Sequence, residues 1–316
     1  GVEKTASILK EHFPETKIFL GGTAANLDPG TYEKMSVIDR VFSSCRMDEL
    51  YEAIKVVTGD DLDYTPDTHL DFPLPDWNIY KIRHAAAVQA SWGCVHKCTY
   101  CASSRLHPEF IQRDPRSVFE ELLELDKLGF SDIAFYDDAI LANSSGHIEK
   151  ILELIIASDL TISFHIPNAV HPEFVSEKNA KLMYSAGVKT VAIGFDTESV
   201  QKRQKKKYPV EKALEYLLSA GFDPAALWCY LLVGLPGQET REIIEAMEKI
   251  HRLKARIRLA WFSPIPGTKD FEGIEKDAGP DYYNNSFYSV VSGTMDRNTQ
   301  EQLKSKEREL NRGLYA

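Results

Sequence analysis

The chain has 316 residues, of which 43% are hydrophobic, 27% charged and 10% aromatic, and its formal net charge is -10; these are values of a folded protein rather than a disordered one. The acidic balance, without a long basic stripe, argues against a protein that lives on phosphate backbones, so nucleic acid is not the expected partner. No run approaches ~18 uninterrupted apolar residues, as a membrane span requires, and the start lacks the basic-then-apolar pattern of a signal peptide, so the expected location is cytoplasmic.

Residues 2–13 carry apolar side chains at helical spacing, and Lys17-Ile18-Phe19-Leu20 reads as a short buried strand ending in Gly21-Gly22. A second step brings a strand at 37–42, followed by a helix at 47–57. Residues 1–60 therefore read as part of a doubly wound, Rossmann-like segment. The chain opens with Gly1-Val2 directly into helix-like sequence, as a fragment of a longer chain would. Residues 61–84 are rich in Asp and Pro, with Pro66, Pro73 and Pro75 breaking any regular element, and read as a linker.

From residue 85 the pattern is strand then helix. Strands are expected at 86–89, 133–136, 161–165, 190–195, 227–233 and 258–262, with helices at 118–128, 147–158, 176–185, 210–219 and 239–253 between them. Six such units over residues 85–272 predict an α/β fold: a parallel sheet with helices outside, closed only in part, as a partial (β/α)6 TIM-like barrel. Residues 273–316 form a tail with one charged helix at 299–310 and no assigned role.

Three of the five cysteines stand within eight positions, which is not the pattern of a secreted disulfide framework and suits a metal site in a reduced compartment. The run is Gly93-Cys94-Val95-His96-Lys97-Cys98-Thr99-Tyr100-Cys101, on the loop after the first barrel strand. Three thiolates at this spacing can hold three corners of an iron–sulfur cube and leave the fourth iron open. A zinc site of the three cysteines with His96 or His107 is the competing reading, although zinc sites usually pair two C-x2-C units. Cys229 lies in an apolar strand and reads as core packing, and Cys45 has no visible partner.

The spacing C-x3-C-x2-C with Tyr100 before the last cysteine resembles the signature of the radical S-adenosylmethionine (SAM) superfamily, in particular its members with a preceding cobalamin-binding domain. The resemblance implies a 4Fe–4S cluster on Cys94, Cys98 and Cys101, SAM as cofactor, reductive cleavage of SAM to a 5'-deoxyadenosyl radical, and an electron donor such as flavodoxin or ferredoxin. It extends along the barrel. Tyr136-Asp137-Asp138 stands where the family contacts the SAM amino group, although a carboxylate capping the next helix explains it equally. His165 and Asn168 stand where relatives present side chains to ribose or substrate, with a plain Pro-Asn turn as the alternative. Glu198-Ser199 is similar to the family's G-x-E-S segment, against a surface carboxylate at a helix start. The basic run 202–207 that follows reads mostly as a solvated helix face. Gly234-Leu235-Pro236-Gly237 is similar to a turn that flanks adenine, and Ser263-Pro264-Ile265-Pro266-Gly267-Thr268 to the close of the same barrel.

Before the barrel, Gly21-Gly22 and the strand after it resemble the end of a cobalamin-binding domain. The segment at 43–48 departs from that family's pattern, and no D-x-H-x-x-G segment is present. Two reactions stay open: with cobalamin, methylation or ring-rearranging oxidation, and without it, hydrogen abstraction leading to cyclisation, dehydrogenation or coupling. Methylthio transfer to tRNA calls for further cysteines and a basic carboxyl-terminal domain, neither of which is evident. A small molecule or a peptide is the expected substrate. From outside the enzyme class, the alternative is a zinc-stabilised, non-catalytic α/β interaction module.

Overall fold

The computed structural model describes residues 1–43, 47–60, 75–204, 209–272, 274 and 285–314; Cys45 and most of the basic run at 205–207 lie outside them. The amino-terminal piece begins with helix α1 (Val2–His12), which leads into strand β1 (Phe19–Leu20). Two short helices, α2 (Thr23–Leu27) and α3 (Pro29–Glu33), carry the chain to β2 (Arg40–Val41), which pairs in parallel with β1, Phe19 opposite Arg40. Helix α4 (Met47–Thr58) follows. Asp39 ties this piece together: its carboxylate takes the ammonium groups of Lys10 at 2.7 Å and Lys17 at 3.1 Å and accepts the Ile18 N–H at 2.9 Å. Those donors hold the Asp39 carboxyl well below the usual range. The helix-to-strand steps expected from the sequence are present, with the second strand shorter than the expected 37–42.

From residue 85 the chain forms β3 (Ala85–Val88), then an antiparallel ribbon of β4 (Ser91–Trp92) and β5 (Ile111–Gln112) that encloses the short helix α5 (Ser103–Leu106). The barrel continues through α6 (Pro115–Lys127), β6 (Asp132–Phe135), α7 (Ile148–Ile156), β7 (Ser163–Val170), α8 (Glu177–Ser185), β8 (Val188–Phe195), α9 (Glu198–Gln204), α10 (Val210–Ala220), β9 (Leu227–Val233), α11 (Thr240–Arg252) and β10 (Arg256–Trp261). The sheet order is β3-β6-β7-β8-β9-β10, every pair parallel, so strands follow one another around an open barrel.

Local chemistry sets the boundaries. Asp114 caps α6 by accepting the N–H groups of Arg116 and Ser117, and Ser176 with Asn179 forms a reciprocal capping box on α8. Helix α7 buries Ile148, Ile151, Leu152 and Ile155, one stripe at helical spacing, and β9 buries Leu227, Cys229, Leu231 and Val233, alternate residues of one face. These side chains belong to one core between sheet and helices. Each fully buried Leu or Ile there contributes roughly 1.5–3 kcal/mol by removal from water.

The third barrel strand differs most from expectation. It runs over Ser163–Val170 rather than 161–165, because slips in its pairing with β8 between Ile166 and Val170 let an extended strand carry Pro167, which has no N–H for a ladder.

The tail also has a structural place. Helices α12 (Asn285–Val291) and α13 (Arg297–Arg312) follow the barrel, and α13 lies along the free edge of β10. Asn311 Oδ1 accepts the Ile257 N–H at 2.7 Å, its Nδ2 donates to the Ile257 carbonyl at 2.8 Å, and Glu307 accepts the Leu259 N–H at 3.1 Å. Three backbone groups of the edge strand thus find side chains instead of a seventh strand. No described helix is long and apolar enough to cross a membrane.

Candidate functional site

The site is built where the strands end. After β3 the chain enters β4, and here the Ala90 N–H and the Ser91 hydroxyl donate to the Asp137 carboxylate at 3.0 and 2.6 Å. Asp137, just after β6, is buried. Burial pushes its carboxyl up to about 6 against the opposing pull of the Ser91 hydroxyl and the Ala90 amide. It stitches the exits of two neighbouring strands together instead of capping a helix. Gly93 follows with φ +79°, and a Cβ there would lie 2.6 Å from the Glu109 carbonyl oxygen, so only glycine lets the two arms of the ribbon approach this closely.

Cys94, Cys98 and Cys101 come next, none in a disulfide and all half-buried. The Cys101 N–H donates to the Cys98 carbonyl at 3.1 Å, curling the loop. The His96 N–H points at Cys94 Sγ, 3.4 Å away, and the Ser103 N–H at Cys101 Sγ, 3.5 Å away. Burial pushes the Cys94 thiol up; the His96 N–H opposes this, while Cys98, Cys101 and Asp138 add to it. Three thiolates gathered this way repel one another and call for a bound cation. Three cysteine sulfurs, two of them with backbone N–H donors, are a donor set that fits an iron–sulfur cluster.

Four carboxylates at four strand ends pin this loop. Ser103 Oγ donates to Asp138 beyond β6 at 2.7 Å, the His96 ring meets Glu173 beyond β7 at 3.2 Å, the Tyr100 hydroxyl donates to Asp196 beyond β8 at 3.1 Å, and Thr99 Oγ1 donates to Asp270 beyond β10 at 2.8 Å. Sequence reasoning did not single out Asp270, Glu173 or Asp196 for this work. A sign of it lay, for Glu173 and Asp196, in an acidic residue within three positions of the end of a strand. The Tyr100 ring packs on a small core of Val200, Leu235, Phe262 and Tyr288, which brings the cysteine loop against the Gly234-Leu235-Pro236-Gly237 turn.

That turn is held by Gln238, also missed from the sequence. Its Oε1 accepts the N–H groups of Gly234 and Leu235 at 2.9 and 3.4 Å, and its Nε2 donates to the Leu232 carbonyl and to Thr197 Oγ1 at 3.0 and 3.2 Å. Gly234 has φ +86° and a notional Cβ 3.3 Å from Ser289, so the turn again requires glycine. Leu235 is fully buried and Pro236 exposed.

Tyr136, Asp138 and Asn168 stand exposed at the rim, with Asn168 Nδ2 donating to the Tyr136 carbonyl. Partial desolvation raises the Tyr136 phenol, and the nearby Asp137 adds to the shift. His165 lies elsewhere than expected. Because β7 continues to Val170, it sits inside the strand, its ring between Thr190 Oγ1 at 2.8 Å and Asp132 Oδ1 at 3.0 Å near the amino ends of the strands, and not on the following loop. Glu198 opens α9 fully exposed, paired with Lys202 at 2.8 Å, which holds its carboxyl below the usual range. The Ser199 N–H and hydroxyl both donate to Glu242 of α11. The structure thus gathers Tyr100, Gly234 and Leu235 with the cysteines, sets Tyr136, Asp138 and Asn168 on the rim, and turns Glu198 and Ser199 to other partners.

Comparison with known proteins follows the same lines. The Radical SAM superfamily model matches residues 89–250. The anaerobic magnesium-protoporphyrin IX monomethyl ester cyclase of Rubrivivax gelatinosus is 27% identical over 206 residues, 59% of this chain and 36% of that protein. The ribosomal protein uS12 methylthiotransferase RimO of Hydrogenobaculum sp. (strain Y04AAS1) is 22% identical over 216 residues, 63% of this chain and 50% of that protein. The chain therefore spans between a third and a half of the length of these curated relatives. Among solved structures, the methyltransferase TsrM of Kitasatospora setae, seen with cobalamin and a [4Fe-4S] cluster, shares the fold at TM-score 0.52 and 19% identity over 59% of this chain and 38% of that one. The match over half the chain, on a six-stranded open barrel with three cysteines at its carboxyl end, places the protein: it belongs to the radical SAM superfamily.

Proposed function

We propose that the chain is the catalytic core of an enzyme that reductively cleaves SAM and uses the resulting 5'-deoxyadenosyl radical on a small-molecule or peptide substrate. The observation that carries this reading is the loop of Cys94, Cys98 and Cys101, pinned by carboxylates at four strand ends. A 4Fe–4S cluster held by three thiolates supplies one open iron position and one electron at low potential. The chain's own residues do the rest. Asp137 fixes the start of the loop, Tyr100 and Leu235 form an apolar wall beside it, and Gln238 fixes the Gly234 turn so that its backbone can lie against a flat ring. Tyr136, Asp138, Asn168, Glu198 and Ser199 are the polar groups proposed for the methionine and ribose ends of SAM. For Glu198 and Ser199 this requires release from Lys202 and Glu242. His165, lower in the sheet, is proposed to face the substrate.

We read the chain as a cobalamin-domain-like segment at 1–60, a linker at 61–84, the barrel at 85–272 and a helical tail at 273–316. The one histidine of residues 1–60, His12, lies on α1 with its Nδ1 on the Ile8 carbonyl and not on a strand-end loop. These residues supply no histidine on a strand-end loop for a cobalt ligand. An electron donor such as flavodoxin or ferredoxin completes the proposed system. The test is anaerobic reconstitution with iron and sulfide, addition of SAM and dithionite, and mass spectrometry of 5'-deoxyadenosine. Production that is lost in Cys98→Ala supports the reading. A colourless protein that makes none overturns it.

A further inference from the structure

Between Cys94 and Cys98 the loop carries His96, whose ring is engaged away from the sulfur set. Its Nε2 lies 3.2 Å from Glu173 Oε1, and the same oxygen lies 3.6 Å from His171 Nδ1. The two imidazoles lie with ring centroids 4.3 Å apart and planes tilted by 40°, and Phe174 stacks on the His96 ring at 5.3 Å. His96 and His171 side chains are only 17% and 11% exposed, while Glu173 is 40% exposed. The three donor atoms all lie within 4.8 Å of one another.

We propose that His96, His171 and Glu173 form a second metal site, distinct from the cysteine cluster, that takes a divalent cation of the zinc class. The edges support this. Zinc with nitrogen and oxygen ligands at about 2.0–2.1 Å in a tetrahedron sets its donors about 3.3 Å apart, and the two edges through Glu173 Oε1, 3.2 and 3.6 Å, bracket that value. Two imidazoles and one carboxylate form a donor set of borderline softness that suits zinc, and three protein ligands leave a fourth position for water or an anionic oxygen. Phe174 walls one side, which keeps the rings oriented and water scarce. His171 Nδ1 also accepts a long hydrogen bond, 3.4 Å, from the Glu173 N–H, and metal binding exchanges that bond for a coordinate one. Glu173 remains open enough to admit the ion. Because His96 belongs to the cysteine loop and the other two ligands follow β7, the ion clamps the cluster-bearing loop to the barrel.

The test uses cluster-loaded protein, prepared anaerobically, with iron and sulfide measured in every sample. Zinc chloride is added, unbound metal is removed by dialysis, and bound zinc is counted by mass spectrometry and by competition with a chromophoric chelator. The expected result is one zinc per chain at unchanged iron content, with affinity falling at least tenfold in both His171→Ala and Glu173→Gln. Two variants at different positions guard against one that fails to fold, and a thermal midpoint that rises with zinc in the wild type and not in either variant is the independent readout. Manganese under the same conditions is expected to be retained less than zinc, in line with the affinity order for such donors. Zinc that stays bound in both variants, zinc gained only as iron is lost, or no retained zinc at all overturns the site. None of these outcomes depends on 5'-deoxyadenosine production, so the zinc site and the SAM reading can fail separately.

Discussion

The two faces of the barrel sheet are made of different material. Toward the helices β9 and β10 present Leu227, Cys229, Leu231, Val233, Ile257 and Leu259, all buried. Toward the interior the same strands present Trp228 and Tyr230, with the Arg256 guanidinium 3.7 Å from the Trp228 ring centre and that of Arg258 5.8 Å from the Tyr230 ring. On β6, β7 and β8 the interior carries Ala134, His165, Thr190 and Gly194. One face is a solvent-free core that sets stability, and the other is a half-open lining, mostly of small residues on one side and of cation-capped aromatics on the other. Core and lining are thus divided between alternate residues of the same strands.

Substitutions can sharpen or break that division. Leu231→Ala, on the helix face, is expected to cost about 2–5 kcal/mol, read as a lower urea midpoint. The buried Asp137 carboxylate comes next. Its pKa in the folded protein is raised to about 6 from 3.8, so the folded state binds the proton more tightly than the unfolded one. The stability it withholds at pH 7 and above returns as pH falls through 6, fully by about 3.8, and amounts to at most about 3 kcal/mol. Asp39 and Asp132 run the other way, since their lowered values make them lose stability on acidification. The term is therefore isolated as a difference. Relative to Asp137→Asn, the wild type should gain stability between pH 7.5 and pH 5 in urea unfolding, and a flat difference would remove Asp137 from this role. Arg256→Gln, on the interior face, should cost about 0.5–2 kcal/mol through the lost contact with Trp228 while leaving iron content unchanged; a loss as large as that of Leu231→Ala would erase the distinction between the faces. The smallest effect is expected at Glu198→Gln, where an exposed ion pair with Lys202 is screened by water. Its unfolding midpoint should not move, so any change in SAM affinity reports contact with the cofactor alone.

The same division explains what could be read from the sequence. The helix face repeats apolar residues at period 2 or 3.6, and five of the six barrel strands and all five expected helices lie within a few residues of their expected bounds. The cysteine spacing is equally legible because its ligands are local in sequence. Three of the loop's anchors were not, since Glu173, Asp196 and Asp270 are scattered along the chain and meet it only when parallel strands place their ends side by side. His165 was misplaced because Pro167 reads as a strand end, whereas a pairing slip absorbed it. Gln238 acts through four hydrogen bonds around a turn, which leaves no periodic trace.

The side chains of α13 along β10 have a consequence for behaviour in concentrated solution. An open barrel ends in a strand whose amides and carbonyls are a template for another chain, and Asn311 and Glu307 occupy part of that template. Removal of the last helix would uncover Ile257 and Leu259 as a row of adhesive backbone, so the truncated protein should self-associate edge to edge even where its monomers remain folded. Helix α13, which contributes no cysteine and no loop to the site, in this sense shields the open edge of an incomplete barrel.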